Sequence, residues 1–186
     1  IDHMARRAKN AGWRMRVRLV KGAYWDSEIK KAQVEGLETF PVYTRKSHTD
    51  VSYLACAQRL FEYRDVLYPM FGTHNAHTIA AVRDMAGRVK GKAPVKYEFQ
   101  RLFGMGQSLH DLNLQEGQTV SVYAPVGPTS DLLPYLVRRL LENGANTSFV
   151  HAFLDEDVPA ADVASGPFKA AATLDRHPFI SIPAKL

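Results

Sequence analysis

The chain is almost without cysteine: Cys56 is the single thiol in 186 residues, so no internal disulfide can brace the fold. It lies in the apolar stretch Val51–Leu60 and reads as core filler rather than as a reactive group. A chain without disulfides fits a reducing, cytoplasmic environment. No apolar run reaches the roughly 18–20 residues that span a bilayer, and the first residues show no signal-peptide pattern. There is no phosphate-binding glycine loop of the P-loop type, and no local signature of a Ser/His/Asp or Cys/His triad or of a hydrolytic carboxylate pair. His74 and His77 have His-x-x-His spacing, but no cysteine or acidic cluster stands near them, so no metal is expected. The charge imbalance is small, +5, and part of it is local: Arg6, Arg7, Lys9, Arg14, Arg16, Arg18 and Lys21 crowd the first 21 residues. A nucleic-acid surface interleaves cations with aromatics on one face. Here Arg16 and Arg18 fall in a strand-like run, so nucleic acid is not an expected partner.

What remains is an ordinary globular composition, 46% apolar and 23% charged, in a length that supports one core. Four strand-then-helix units can be read. Met15–Val20 alternates as a strand, and Ser27–Glu35 is rich in helix formers until Gly36 breaks it. Residues 40–46 form a loop around Pro41, and Asp50–Arg64 is helical. Tyr68–Gly72 is the second strand and Asn75–Val89 the next helix, with apolar Ile79, Val82, Met85 and Ala86. Val95–Leu102 and Thr119–Pro125 are the third and fourth strands, separated by a poorly patterned helix over Ser108–Gln115. The last helix spans Ser130–Asn143 and stops before Gly144, a suitable left-handed cap. Repeated βα units imply parallel strands; four of them make half of a (β/α)8 barrel or a small open sheet. After about Asp155 the chain turns small-residued and then proline-spaced, as a linker does.

The chemistry-bearing residues collect at strand ends and on the last helix. On Ser130–Asn143, Leu132, Leu133, Leu136, Val137, Leu140 and Leu141 make an apolar stripe, which leaves Tyr135, Arg138, Arg139 and Glu142 together on the other side. Two neighbouring guanidiniums beside a phenol suit a carboxylate, each fork donating two parallel hydrogen bonds. On pattern alone the same face reads first as a solvated one with an Arg138–Glu142 ion pair. Arg16 and Arg18 lie on one side of the first strand, although strands of a parallel sheet usually bury both faces. They either face a cleft with an anionic or electron-rich ligand or pair with acids elsewhere. The following Lys21-Gly22-Ala23-Tyr24-Trp25-Asp26 and the run Thr73-His74-Asn75 sit where ligands bind in α/β folds, past the carboxyl ends of strands. Asn75 is a natural N-cap, and a helix start attracts anions. Cations, phenols and amides without a carboxylate dyad point to a site where a cofactor performs the hard chemistry.

Several runs taken together are specific. Arg18-Leu19-Val20-Lys21-Gly22-Ala23-Tyr24-Trp25-Asp26, Pro41-Val42-Tyr43-Thr44-Arg45-Lys46, Thr73-His74-Asn75-Ala76-His77-Thr78, Tyr97-Glu98-Phe99-Gln100, Tyr123-Ala124-Pro125-Val126-Gly127 and the stretch from Tyr135 to Phe149 resemble the proline dehydrogenase domain of the bifunctional proline utilization A flavoenzymes. The resemblance covers about Val17 to Val150 in order. It implies a TIM-type (β/α)8 barrel of which the last four βα units are present here as residues 1–155. Residues 156–186 would be a tail toward an aldehyde dehydrogenase domain.

It implies oxidation of L-proline to Δ1-pyrroline-5-carboxylate with FAD as cofactor and a membrane quinone as electron acceptor, in the cytoplasm or at the inner face of the membrane. By motif, Arg18, Tyr24 and Tyr123 would be catalytic. Arg18, Lys21, Gly22, Ala23, Trp25, Thr44, Thr73, His74, Asn75, Gln100 and Glu142 would hold FAD. Ala23, Tyr24, Leu102, Tyr123, Tyr135, Arg138 and Arg139 would hold proline. The family's first four βα units, with a catalytic lysine and an aspartate, are not among these residues. An open parallel edge invites pairing between copies, so a homo-oligomer is among the expectations. Two other readings stay open: a half-barrel assembly unit that binds no flavin, and a barrel enzyme that takes a different phosphorylated ligand at Thr73–Asn75.

Overall fold

A computed structural model describes residues 1–22, 24–91, 94–139, 166–173 and 177–183. In chain order the elements are α1 (Asp2–Asn10), β1 (Met15–Leu19), α2 (Trp25–Val34), α3 (Lys46–Glu62), β2 (Leu67–Gly72), α4 (Ala76–Arg88), β3 (Glu98–Leu102), α5 (Gln107–Gln115), β4 (Val120–Tyr123), a helix α6 described over 129–139, and α7 (Pro167–Thr173). They fall into two compact units. One holds Ile1–Val20 and Tyr53–Leu132; the other holds Lys21–Ser52 and Leu133–Leu186.

The first unit contains the sheet. Its four strands are parallel and lie in the order β1-β2-β3-β4, so each strand is flanked by its neighbours in sequence. A doubly wound sheet would reverse its order at a switch point; a singly wound one runs on in sequence, as in a barrel. The fold is α/β of the TIM-barrel type, as expected.

The alternation of side chains divides this sheet into two unlike faces. On one, Met15 pairs with Leu67, Leu19 with Phe71, Phe71 with Phe99 and Phe99 with Val120. On the other, Arg16 pairs with Tyr68, Arg18 with Met70, Met70 with Glu98, Gln100 with Ser121 and Leu102 with Tyr123. The apolar face is covered by Tyr53, Leu54, Ala57, Leu60 and Phe61 of α3 and by Ile79 and Val82 of α4. Phe61 and Phe71 have ring centroids 5.4 Å apart, and Tyr97 meets Phe61 edge-on at 5.5 Å. Each fully buried aliphatic or aromatic side chain in such a layer contributes about 1.5–3 kcal/mol.

The helix boundaries follow local chemistry. Asn75 caps α4, its Oδ1 accepting from the Thr78 amide at 2.9 Å. Gly36 ends α2 at φ 60, where its own N–H and that of Leu37 reach back to the Gln33 and Ala32 carbonyls. α3 begins at Lys46 rather than at Asp50, because Lys46 and Asp50 close an i,i+4 ion pair at 2.6 Å over a turn that has no apolar periodicity.

Other departures have equally plain causes. α1 was not expected: it buries only Ala5 and Ala8, too small to stand out as a stripe, and its Arg6, Arg7 and Lys9 are exposed. α5 looked unpatterned because its buried positions are His110 and Asn113, which are polar. On α6 the expected apolar stripe is not buried: Leu133 is 60% and Val137 44% exposed, whereas Tyr135, Arg138 and Arg139 are half-buried. Within the expected linker, α7 forms a short helix, and His48 Nε2 lies 3.1 Å from the Ala171 carbonyl. No helix among the described residues is long and apolar enough to cross a membrane.

Phe71 is fully buried and touches both Phe61 and Phe99. Phe71→Ala should lower the unfolding free energy by about 3–5 kcal/mol in a denaturant titration; a loss under about 1 kcal/mol would mean this layer is not the core.

Candidate functional site

The candidate residues divide between the two units. In the first, Arg18 leaves β1 on the polar face of the sheet, and its side chain crosses Gly72 of β2. A Cβ at Gly72 would come within 2.9 Å of Val20 Cγ1 and 3.1 Å of an Arg18 Nη, so a larger residue there would displace Val20 or the guanidinium. Arg18 Nε donates to Gln100 Oε1 at 2.7 Å, and its guanidinium carbon lies 4.7 Å from the centroid of the Tyr123 ring. Neither Nη of Arg18 donates a hydrogen bond within the described residues. The guanidinium is thus oriented by an amide and a phenol ring, with N–H groups to spare for an electron-rich ligand.

Leu102, at the end of β3, is buried, and its N–H donates to His74 Nε2 at 3.1 Å. His74 therefore carries its proton on Nδ1. The rest of the Thr73–Asn75 turn is closed by its own side chains. Thr73 Oγ1 accepts from the Asn75 amide at 3.1 Å, and Asn75 Oδ1 accepts from both the amide and the hydroxyl of Thr78. Their side chains shape the turn, leaving the first amides of α4 as its donors. Beneath it His110, fully buried, donates from Nε2 to the Thr73 carbonyl at 2.9 Å. Burial pushes the His110 pKa below its ordinary value, against the opposing effect of that hydrogen bond.

In the second unit the loop after β1 is tightly held. Asp50 accepts from Lys21 Nζ and from Lys46 Nζ, both at 2.6 Å. Burial alone would raise the Asp50 pKa, but the two ammonium groups outweigh it and hold the carboxyl below its usual range. Lys21 thus sits in a structural ion pair. Gly22 has φ 84, and Tyr24, although not a glycine, has φ 61. A left-handed tyrosine costs roughly 1–2 kcal/mol, and such strain concentrates at binding and catalytic positions. Trp25 Nε1 donates to the Tyr43 carbonyl at 2.8 Å, which ties the start of α2 to the segment just before Thr44. The Arg138 guanidinium lies 5.5 Å from the Tyr24 ring centroid, and that of Arg139 lies 4.9 Å from Tyr135. The buried Nε of Arg138 finds no acceptor among the described residues. Ala23 and Glu142, and the stretch from Leu140 to Phe149, lie outside the described residues.

The arrangement can bind and orient anions and electron-rich rings. The described residues contain no group of three or more potential metal ligands. The profile of proline dehydrogenases matches residues 1–152. The chain belongs to the proline dehydrogenase family. It is 48% identical to the bifunctional protein PutA of Salmonella typhimurium over its whole length, which is 15% of that protein, and 31% identical to human mitochondrial proline dehydrogenase 1 over 77% of its length and 24% of that protein. A crystal structure of a Bradyrhizobium japonicum proline utilization A variant superposes with TM-score 0.85 at 46% identity, over the whole chain and 19% of that protein. The chain thus spans less than a fifth of the PutA proteins it matches.

Of the family residues read from motifs, the first unit brings together Arg18, Gln100 and Tyr123, and joins His74 to Leu102. The second brings Arg138 to Tyr24 and sets Lys21 against Asp50, a residue no motif had singled out. Motif reading passed over Glu98, which is 7% exposed and accepts hydrogen bonds from Gln100, Ser121 and Tyr68. Its signal was available: an acid on the same side of its strand as Gln100.

His110 supplies a pH test. Its native pKa lies below that of the unfolded chain, so on acidification the unfolded state takes up a proton that the native state refuses. Stability should be level above the ordinary imidazole range and decline as pH falls through it, in urea melts across that interval. In His110→Gln that decline should be shallower; an equal slope would sink the assignment.

Proposed function

We propose that this chain is the ligand-binding half of an FAD-dependent L-proline dehydrogenase that forms Δ1-pyrroline-5-carboxylate and hands electrons to a membrane quinone. The observation that carries the reading is a guanidinium held by Gln100 and the Tyr123 ring with its Nη donors uncommitted. That donor set suits an isoalloxazine, whose reduced form bears negative charge that an adjacent cation favours. Bound FAD would supply the two-electron acceptor. Arg18 and Gln100 would face the flavin, with His74, Thr44, Trp25, Gly22 and Lys21 along it as the family motif implies.

The remaining steps belong to this chain's side chains. Arg138 and Arg139 bind the proline carboxylate through charge-assisted pairs, with Tyr24 and Tyr135 stacked on their guanidiniums. Holding the carboxylate fixes the ring carbon beside nitrogen and removes rotational freedom before reaction. Leu102 and Tyr123, register partners at the ends of β3 and β4, would exclude water from the ring. By the resemblance stated above, an aldehyde dehydrogenase domain would lie further along the polypeptide, in the cytoplasm or at the inner face of the membrane, and the open strand edges suit assembly into oligomers.

Two measurements test this. Protein incubated with FAD and freed of excess should show the visible absorption of an oxidised flavin, bleached by L-proline and not by other amino acids; a protein that stays colourless overturns the reading in favour of a flavin-free assembly unit. In the flavin-loaded protein, Arg138→Met should weaken L-proline binding about tenfold or more, the loss of one charge-assisted pair. An unchanged Kd would rule out the clamp.

A further inference from the structure

We propose that Glu98 is a positioning residue that sets the orientation of the Gln100 amide and, through it, the place of the Arg18 guanidinium. The inference deepens the proposed function and rests on it for the ligand, but its geometry belongs to the sheet alone. Glu98 is 7% exposed on the polar face of β3. Three strands bring it a donor: Tyr68 of β2 at 3.3 Å, Gln100 of β3 at 2.7 Å and Ser121 of β4 at 3.1 Å. None of these is a cation, and Glu98 forms no ion pair among the described residues. A buried carboxylate without a countercharge is costly to keep, and a core glutamine or methionine would be cheaper.

Its acceptor-only chemistry explains its presence. A side-chain amide can lie either way round, and only its neighbours choose. Gln100 Nε2 points at Glu98 Oε1 and lies 3.4 Å from Met70 Sδ, so its oxygen must face the opposite way, where Arg18 Nε meets it at 2.7 Å. The flipped amide would set its NH2 against the Arg18 N–H and its oxygen against the carboxylate, two repulsive contacts. A glutamine at position 98 could donate as well as accept and would satisfy either orientation. The carboxylate therefore removes an ambiguity two residues away from the guanidinium it steadies, which is how a supporting shell fixes a binding group.

The test reads Arg18 directly. In the 15N-labelled protein without flavin, the exchange of the Arg18 Nε–H with water reports its hydrogen bond to Gln100. Glu98→Gln should speed that exchange about tenfold, and Gln100→Leu, which deletes the acceptor, should do the same. Backbone amide exchange in β2 and β3 should stay unchanged, which a merely structural role would not allow. Faster Arg18 exchange in Gln100→Leu but not in Glu98→Gln overturns the proposal. Should Glu98→Gln fail to fold, Glu98→Asp, which keeps the charge but withdraws it from Gln100, is read the same way: faster exchange supports the role and unchanged exchange ends it. FAD titration separates the two readings. A protein that takes up no FAD but shows the arginine effect sinks the proposed function and keeps the positioning role, whereas one that takes up FAD with Arg18 unaffected by Glu98→Gln loses the positioning role alone.

Discussion

Arg18 is held from three sides: Gly72 leaves space beneath its side chain, Gln100 accepts from its Nε, and the Tyr123 ring lies under its guanidinium. Each contact comes from a different strand, β2, β3 and β4, so the position of one cation depends on the register of the entire sheet. A slip by one residue would move every one of these groups to the other face. The register is in turn secured on the opposite side, where Leu67, Phe71 and Phe99 are fully buried against α3. The hydrophobic face determines which residues can meet on the polar face.

The loop after β1 solves a different problem. It places Tyr24 in a left-handed conformation that tyrosine seldom adopts, and surrounding contacts must hold it there. Lys21 and Lys46 meet on Asp50, anchoring the loop on the first turn of α3, and Trp25 is tied by its indole N–H to the Tyr43 carbonyl. A carboxylate shared by two ammonium groups is fully ionised at neutral pH, and its two partners cannot separate without leaving a half-buried charge exposed to a poorer environment. This second anchor explains why Lys21, which motif reading assigned to a cofactor, has its ammonium directed at an aspartate.

Much of this was legible in the chain. Strand β1 was readable from the alternation of Val17 and Leu19 with Arg16 and Arg18, and α4 from Asn75 followed by an apolar repeat. What stayed hidden was hidden for physical reasons. α1 buries only alanines and the first turn of α3 rests on an ion pair rather than a stripe, so neither announces itself by hydrophobic period, and α5 was read as a helix but a poorly patterned one because it buries His110 and Asn113. α6 was read as a helix, but periodicity could not say which of its faces is covered; Leu133 and Val137 are exposed and the arginine face is half-buried. Glu98 escaped because its role depends on contacts from Tyr68 and Ser121, which only the pairing of distant strands brings near.

Two kinds of arginine stand apart among the described residues. Arg59, Arg83 and Arg88 are bound to carboxylates: Arg59 to Asp2 and Glu62, Arg83 to Glu116, Arg88 to Asp84. They lie on the outer faces of α3 and α4, where such pairs add only tenths of a kcal/mol to about 1 kcal/mol. Arg16, Arg18 and Arg138 have no carboxylate partner among the described residues and rest on the rings of Tyr68, Tyr123 and Tyr24. A ring orients a guanidinium through its face and leaves the N–H edges open, while contributing no negative charge to cancel it. The first kind stabilises helices and is already neutralised. The second kind is oriented without a carboxylate among the described residues, which leaves its charge open to an anionic or electron-rich partner.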